Sequence, residues 1–269
     1  MRVAEALAGS FRMIKERPRL VLPALVPVIL VAAIACLAMM SGIPLGLDYD
    51  GTFQASLDEA SASALWLIIL LTIVLSVVDT LISGMYPTLV VSIIKSKEPD
   101  LMEALRFSYH RFWSLLGASV IAGLVSGLVA SAITALMAIP AMFTGNDTGI
   151  LERVITTVAS LFIGALFYYA VPAIIMDGYG AVEGVRTSWN LSRNRYLRTL
   201  LLLAVPSLAS SLISALFVYL PYAIYASEMS ALLMLIPWCV VSAFVHAWTL
   251  TIPAYAYQDL MNANSAGLA

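Results

Sequence analysis

Charge is what this chain has least of. Only 11% of its 269 residues are Asp, Glu, Lys or Arg, against about 25% in a soluble domain. Histidine is scarcer still, with His110 and His246 alone. Two histidines cannot build a three-ligand metal site without carboxylate help, so no metal is expected. Cys36 and Cys239 both fall inside apolar runs. They read as small apolar side chains, not as a disulfide or metal framework. No HExxH, GxSxG, Walker or GxGxxG motif occurs, so the sequence offers no enzyme signature and implies no cofactor. No basic patch suits nucleic acid. No polar stretch is long enough for a separate soluble domain, so a single domain over 1–269 is expected.

What is present is apolar: 61% of the residues, with a mean hydropathy of +0.94. Helical runs of about 20 apolar residues cross a bilayer, because only a closed hydrogen-bonding pattern survives in lipid. Six such spans are predicted, at about 20–42, 64–94, 114–143, 153–176, 197–225 and 230–257. The expected class is therefore an all-α, polytopic membrane protein. The basic residues then orient it. Arg2, Arg12, Lys15, Arg17 and Arg19 precede the first span; Lys95, Lys97, Arg106 and Arg111 follow the second; Arg186, Arg193, Arg195 and Arg198 follow the fourth. Of the 14 basic residues only Arg153 lies on the other side. The positive-inside rule makes both termini cytoplasmic and the address the cytoplasmic membrane. Asp48, Asp50, Asp58, Glu59, Asp147 and Glu228 fall in the outer loops. The first span has the look of a secretory signal, but the repeat described next argues against its cleavage. Trp66, Trp113, Tyr219, Tyr222, Tyr225, Tyr255 and Tyr257 sit near span ends, as an aromatic belt requires.

Three stretches match one another: "EALAGSF" (5–11), "EALRFSY" (103–109) and "EGVRTSW" (183–189). Each opens a pair of spans on the cytoplasmic side. "SAITAL" (131–136) and "SLISAL" (211–216) recur at the same offset in the second and third copies. Odd spans end near an outer proline (Pro44, Pro140, Pro221), and even spans carry one in the inner half (Pro87, Pro172, Pro253). The inferred unit is a short amphipathic helix followed by two membrane helices, repeated over about 1–96, 97–178 and 179–261. In the short helices, Leu101, Leu105, Ser108 and Phe112 share one face, as do Val182, Val185 and Trp189. Glu103–Arg106 and Glu183–Arg186 are candidate ion pairs on the opposite faces. Such helices lie in the interface and anchor the hairpins, or use their arginines to grip lipid phosphates.

The stretch "VPAIIMDGYGAVEGVRTSWNLSRNRYLRTLLL" (171–202) carries Pro172, then Glu183, Ser188 and Trp189, then an arginine-rich start to the next span. "YPTLVVSII" followed by "EALRFSY" echoes it. Here the chain resembles the six-span family named after the glycerophosphoryl diester phosphodiesterase membrane domain, with its related bacterial and archaeal inner-membrane proteins. The resemblance spans residues 1–260. It implies a six-span fold and a cytoplasmic-membrane address, and no enzyme activity, because the catalytic barrel of that family is absent from this chain.

Asp79 is the sharpest local signal. It lies fifteen residues from either end of the run 64–94, near the midplane. A carboxylate there costs about 2.5–3.5 kcal/mol on insertion scales and faces an interior or a cavity. The other ionisable residue at that depth is His246: Asp79 precedes Pro87 by eight residues and His246 precedes Pro253 by seven. On equivalent helices the two would meet as an Asp–His pair. The alternative is structural, with each bonded to hydroxyls or backbone. The inner prolines free the carbonyls of Ser83, Tyr168 and Thr249, one per copy. Three kinks there would open a cavity, unless neighbouring groups simply repair the gaps. Gly123 and Gly127, and the face bearing Ser207, Ser210, Ser211 and Ser214, are expected to be packing surfaces, the alternative being a hydroxyl-lined path for a solute.

Two function classes follow. One is a transporter or lipid- or solute-handling protein working through a midplane site of Asp79, His246, Ser83, Thr249 and Tyr168. The other is a non-catalytic scaffold that holds a partner or membrane lipid on Arg106, Arg186, Arg193, Arg195 and Arg198.

Overall fold

A computed structural model of the chain describes residues 3–40, 45–47, 53–55, 62–144, 149–219 and 228–265. Helix α1 (Val3–Glu16) meets the following segment at a bend of 102°. Pro18 causes the bend: it forces Arg17 out of helical geometry, to φ −130° and ψ 76°, and starts a 3-10 turn, Pro18–Leu20. Two spans follow, α2 (Val21–Met40) and α3 (Ala62–Ile94). A second short helix, α4 (Leu101–His110), leads into α5 (Phe112–Thr144) and α6 (Gly149–Phe167), with α6 continued by α7 (Ala170–Met176). A third, α8 (Ala181–Asn194), leads into α9 (Tyr196–Ser214), a π turn over Ala215–Tyr219, and α10 (Glu228–Ser265). An arginine stands at each elbow: Arg17, Arg111 and Arg195.

Among the described residues five helical segments are long and apolar enough to cross a membrane, or six if the bent pair at the start counts as one span. The protein is a helical membrane protein. The class is all-α, with one small addition. Between α2 and α3 two three-residue strands, β1 (Leu45–Leu47) and β2 (Phe53–Ala55), pair antiparallel, with Gly46 opposite Gln54. The outer residues Pro44, Asp48, Asp50, Asp58, Asp147, Pro221, Tyr222 and Tyr225 lie outside the described residues.

The chain divides into two compact units. One comprises Met1–Leu7, Gly84–Ala204 and Pro253–Ala269; the other comprises Ala8–Ser83 and Val205–Ile252. In the first, α5, α7 and α8 pack around Leu115, Ala118, Ile174 and Ile175. In the second, Phe11 lies edge-on to Phe244 and Trp248, with ring centroids 5.4 and 5.8 Å away.

Each short helix buries small residues four apart. These are Ala6 and Ser10, Ala104 and Ser108, Gly184 and Ser188, and the first helix also buries Ile14. Leu105, Val182 and Trp189 stay exposed. Small residues four apart let a short helix lie close against a span, and the bulky apolar groups are left for the bilayer interface. Neither Glu103–Arg106 nor Glu183–Arg186 forms an ion pair among the described residues. All four side chains are exposed, where such pairs contribute little. Asp100 caps α4 instead, accepting from the backbone N–H groups of Met102 and Glu103.

The serine of each short helix makes a specific contact. Ser188 Oγ donates to the Leu166 carbonyl (2.8 Å) and accepts from the Tyr169 N–H (3.0 Å). It thereby bridges the break between α6 and α7, just ahead of Pro172. Ser108 lies against Gly84 of α3: a Cβ added to Gly84 would stand 2.4 Å from Ser108 Oγ. Ser10 accepts from the indole N–H of Trp248 on α10 at 3.1 Å. Each serine therefore touches an even span.

Candidate functional site

The site belongs to the second unit. The middle of α3 carries Asp79 and the middle of α10 carries His246, and the structure brings them together. His246 Nε2 lies 3.1 Å from Asp79 Oδ1. The contact is short enough for an ion pair when the imidazole carries a proton. Sequence alone pointed to this contact, because both residues sit at nearly the same distance from an inner proline. The second carboxylate oxygen, Oδ2, has no partner among the described residues. Neither side chain is sealed: the carboxylate residue is 46% exposed and the imidazole 30%.

They open onto a partly open cavity of about 420 Å³. Its walls come from four helices. Pro27, Val28 and Val31 of α2 give an apolar side. Thr72 and Ser76 stand on α3 with Asp79, two turns and one turn away on the same face. Ser210 and Ser214 of α9 and Ser242 of α10 add hydroxyls. Trp238 also lines the space, and its indole N–H is buried without a partner among the described residues. The site can hold a proton on an imidazole, hold a carboxylate beside it, and surround a small polar guest with hydroxyls. Among the described residues no three His, Cys, Asp or Glu side chains come together as a metal site.

A family model described as a domain of unknown function, DUF7847, matches residues 1–260. The chain belongs to that family. No curated protein and no solved structure matches it.

The other residues expected at the site of this DUF7847 chain lie elsewhere. Ser83 and Thr249 do not line the cavity. Their hydroxyls turn back onto their own helices, donating to the carbonyls of Thr80 (2.9 Å) and Val245 (2.9 Å). Tyr168 belongs to the first unit, where its hydroxyl makes a long contact of 3.4 Å to the Leu202 carbonyl. The three prolines also differ. Helix α3 runs on through Pro87 and α10 through Pro253, and only the span containing Pro172 is interrupted, at 168–169. Ser210 and Ser214, read from sequence as a packing face, are cavity walls. Gly123 and Gly127 pack against nothing: the space where a Cβ would stand is open.

The arginines of the expected lipid- or partner-binding face in this DUF7847 chain belong to the first unit. Arg106, Arg186, Arg193 and Arg198 are exposed. Arg195 and Arg198 border a small cleft with Tyr169, Leu202 and Leu260. Tyr257, expected in the aromatic belt, is buried, and its hydroxyl donates to Asp177. Trp66 and Trp113 are exposed near span ends, 71% and 80%, as a belt requires.

Sequence reasoning missed Trp238, Ser76 and Ser242. In a helix that is apolar all round, no hydropathy contrast marks the inward face, so only the charged residues announced it.

Proposed function

We propose that this protein is a multi-pass protein of the cytoplasmic membrane that takes up a small solute at a midplane site and couples its binding to a proton held by Asp79 and His246. The observation that carries the reading is the 3.1 Å contact of these two groups at the wall of a 420 Å³ cavity. A carboxylate in the apolar middle of a span is costly, and such residues mark solute and proton pathways. The pair is read as a binding and proton-carrying group, not as an enzyme's acid and base. Both termini are placed in the cytoplasm by the arginine distribution.

We further read the chain as three copies of one hairpin unit, in keeping with its likeness to the six-span phosphodiesterase membrane-domain proteins. Support comes from the motif serines. Ser108 of the second copy meets the even span of the first, Ser188 of the third meets that of the second, and Ser10 of the first meets that of the third. One contact rule serves all three.

The test is water access. In a variant whose Cys36 and Cys239 are replaced by Ala, Ser76→Cys and Ser210→Cys should each react with a membrane-impermeant thiol reagent. Leu70→Cys, on the exposed apolar surface at 58%, should not. Protection of both serine positions would sink the conduit. The second reading would then stand: a scaffold holding an anionic lipid or partner on its arginines, favoured by the cleft between Arg195 and Arg198. Neutralising Arg186, Arg193, Arg195 and Arg198 would release that partner, and Asp79→Asn would not.

A further inference from the structure

The geometry points to an organic cation as the guest of this cavity, exchanged one for one against the proton on His246. The inference rests on the solute-handling reading above and deepens it.

The charges that reach the cavity are few. Asp79 on α3 and His246 on α10 are the only titratable side chains among its described lining, and α2 and α9 contribute none. No Lys or Arg is among the described residues that line it. An anion entering would meet a carboxylate with nothing but an imidazole to offset it. A neutral guest would leave the carboxylate as it was. A cation has a place to sit, because only Oδ1 is taken by His246 and Oδ2 is open. The nearby hydroxyls of Ser76, Ser210 and Ser242 accept hydrogen bonds from a charged N–H or order water around it. Trp238, in the same wall, adds an aromatic surface of the kind that attracts ammonium groups.

Size selects within the cations. A volume of 420 Å³ lies in the range of small-molecule pockets, about 300–1,000 Å³. It equals the share of roughly fourteen waters, so a bare alkali ion would rattle in it, and an amine with a modest apolar body fills it. The apolar wall of Pro27, Val28 and Val31 suits that body.

The stoichiometry follows from charge. One carboxylate in a low-dielectric wall is balanced by one positive charge. With the cavity empty, the imidazole can supply it by taking up a proton. With an ammonium on Asp79, a protonated His246 would leave an excess positive charge beside the guest, so its proton departs. Cation and proton therefore compete for one carboxylate.

The measurement is calorimetry on the purified full chain in detergent, with benzyltrimethylammonium, benzyl alcohol and benzoate as probes. Each is titrated in two buffers of different ionisation enthalpy, which counts protons released per ligand bound. The expected result is binding of the ammonium at least tenfold tighter than of benzyl alcohol or benzoate, with proton release that approaches one as pH is lowered. Asp79→Asn should lose the cation, and His246→Gln should bind it with no proton release. Preference for benzoate, equal binding of ammonium and alcohol, or release that survives in His246→Gln would overturn the proposal. So would an absence of binding by the wild-type chain while Ser76→Cys remains open to the thiol reagent, and that result leaves the water-filled conduit standing. Selectivity of the wild type alone decides the charge class if Asp79→Asn fails to fold.

Discussion

Ser188 shows how much one hydroxyl does in a membrane helix. Pro172 has no N–H to donate, and the helix breaks over 168–169. Lipid offers no water to satisfy the backbone freed there. Ser188 replaces the missing water with one donor and one acceptor contact, at 2.8 and 3.0 Å. Ser188→Ala leaves the Leu166 carbonyl and the Tyr169 N–H unpaired. A loss of about 1–3 kcal/mol is expected, read as a lower unfolding midpoint in SDS. Asn190→Ala, on an exposed part of the same helix, should stay within about 0.5 kcal/mol of wild type. The serine itself was legible in the sequence, because it recurs in all three motifs. Its partner was not, since sequence gives the elbow's spacing but not the span it lands on. Asp79 and His246 were legible as a pair for a different reason. Two polar residues in a uniformly apolar setting have almost no other group to meet.

Between elements, the contacts are governed by what is absent from a side chain. Gly84 faces Ser108, and Leu115 Cδ1 would lie 2.5 Å from an added Cβ. Gly84→Ala should therefore destabilise by about 1–3 kcal/mol through overpacking, and Ser108→Ala should not rescue it because Leu115 still obstructs. Gly123→Ala, where nothing lies within 4 Å, should be neutral or gain up to about 1 kcal/mol of helix propensity. Thermal melts of both variants in one detergent make the comparison; equal losses at the two glycines would contradict the packing described. The span positions were readable from apolar run length alone. Their rotation was not. In water, a polar face tells a helix which way to turn, and in lipid that contrast vanishes, so small residues and a few hydroxyls set the azimuth. The elbow helices were legible as amphipathic, and the small residues by which they meet a span were not.

For the whole molecule, the distribution of arginine is the strongest global statement. Thirteen of the 14 basic residues fall on the side assigned to the cytoplasm. A fluorescent protein fused after residue 265 should mature and glow, and alkaline phosphatase fused there should stay inactive. The reverse pattern is expected for fusions at residue 147. Phosphatase activity at the C-terminus would invert the topology and, with it, the side from which the arginine elbows are reached.

The contact of Ser10 with Trp248 joins residues 238 positions apart. Membrane chains leave the ribosome from the N-terminus, so α1 emerges first and its seat emerges last. The second and third elbows find theirs on spans already made. The first must wait at the membrane surface until nearly the whole chain has been translated, and only then does it close the molecule. A chain stopped before Trp248 would hold its later elbows in place and leave its first one undocked.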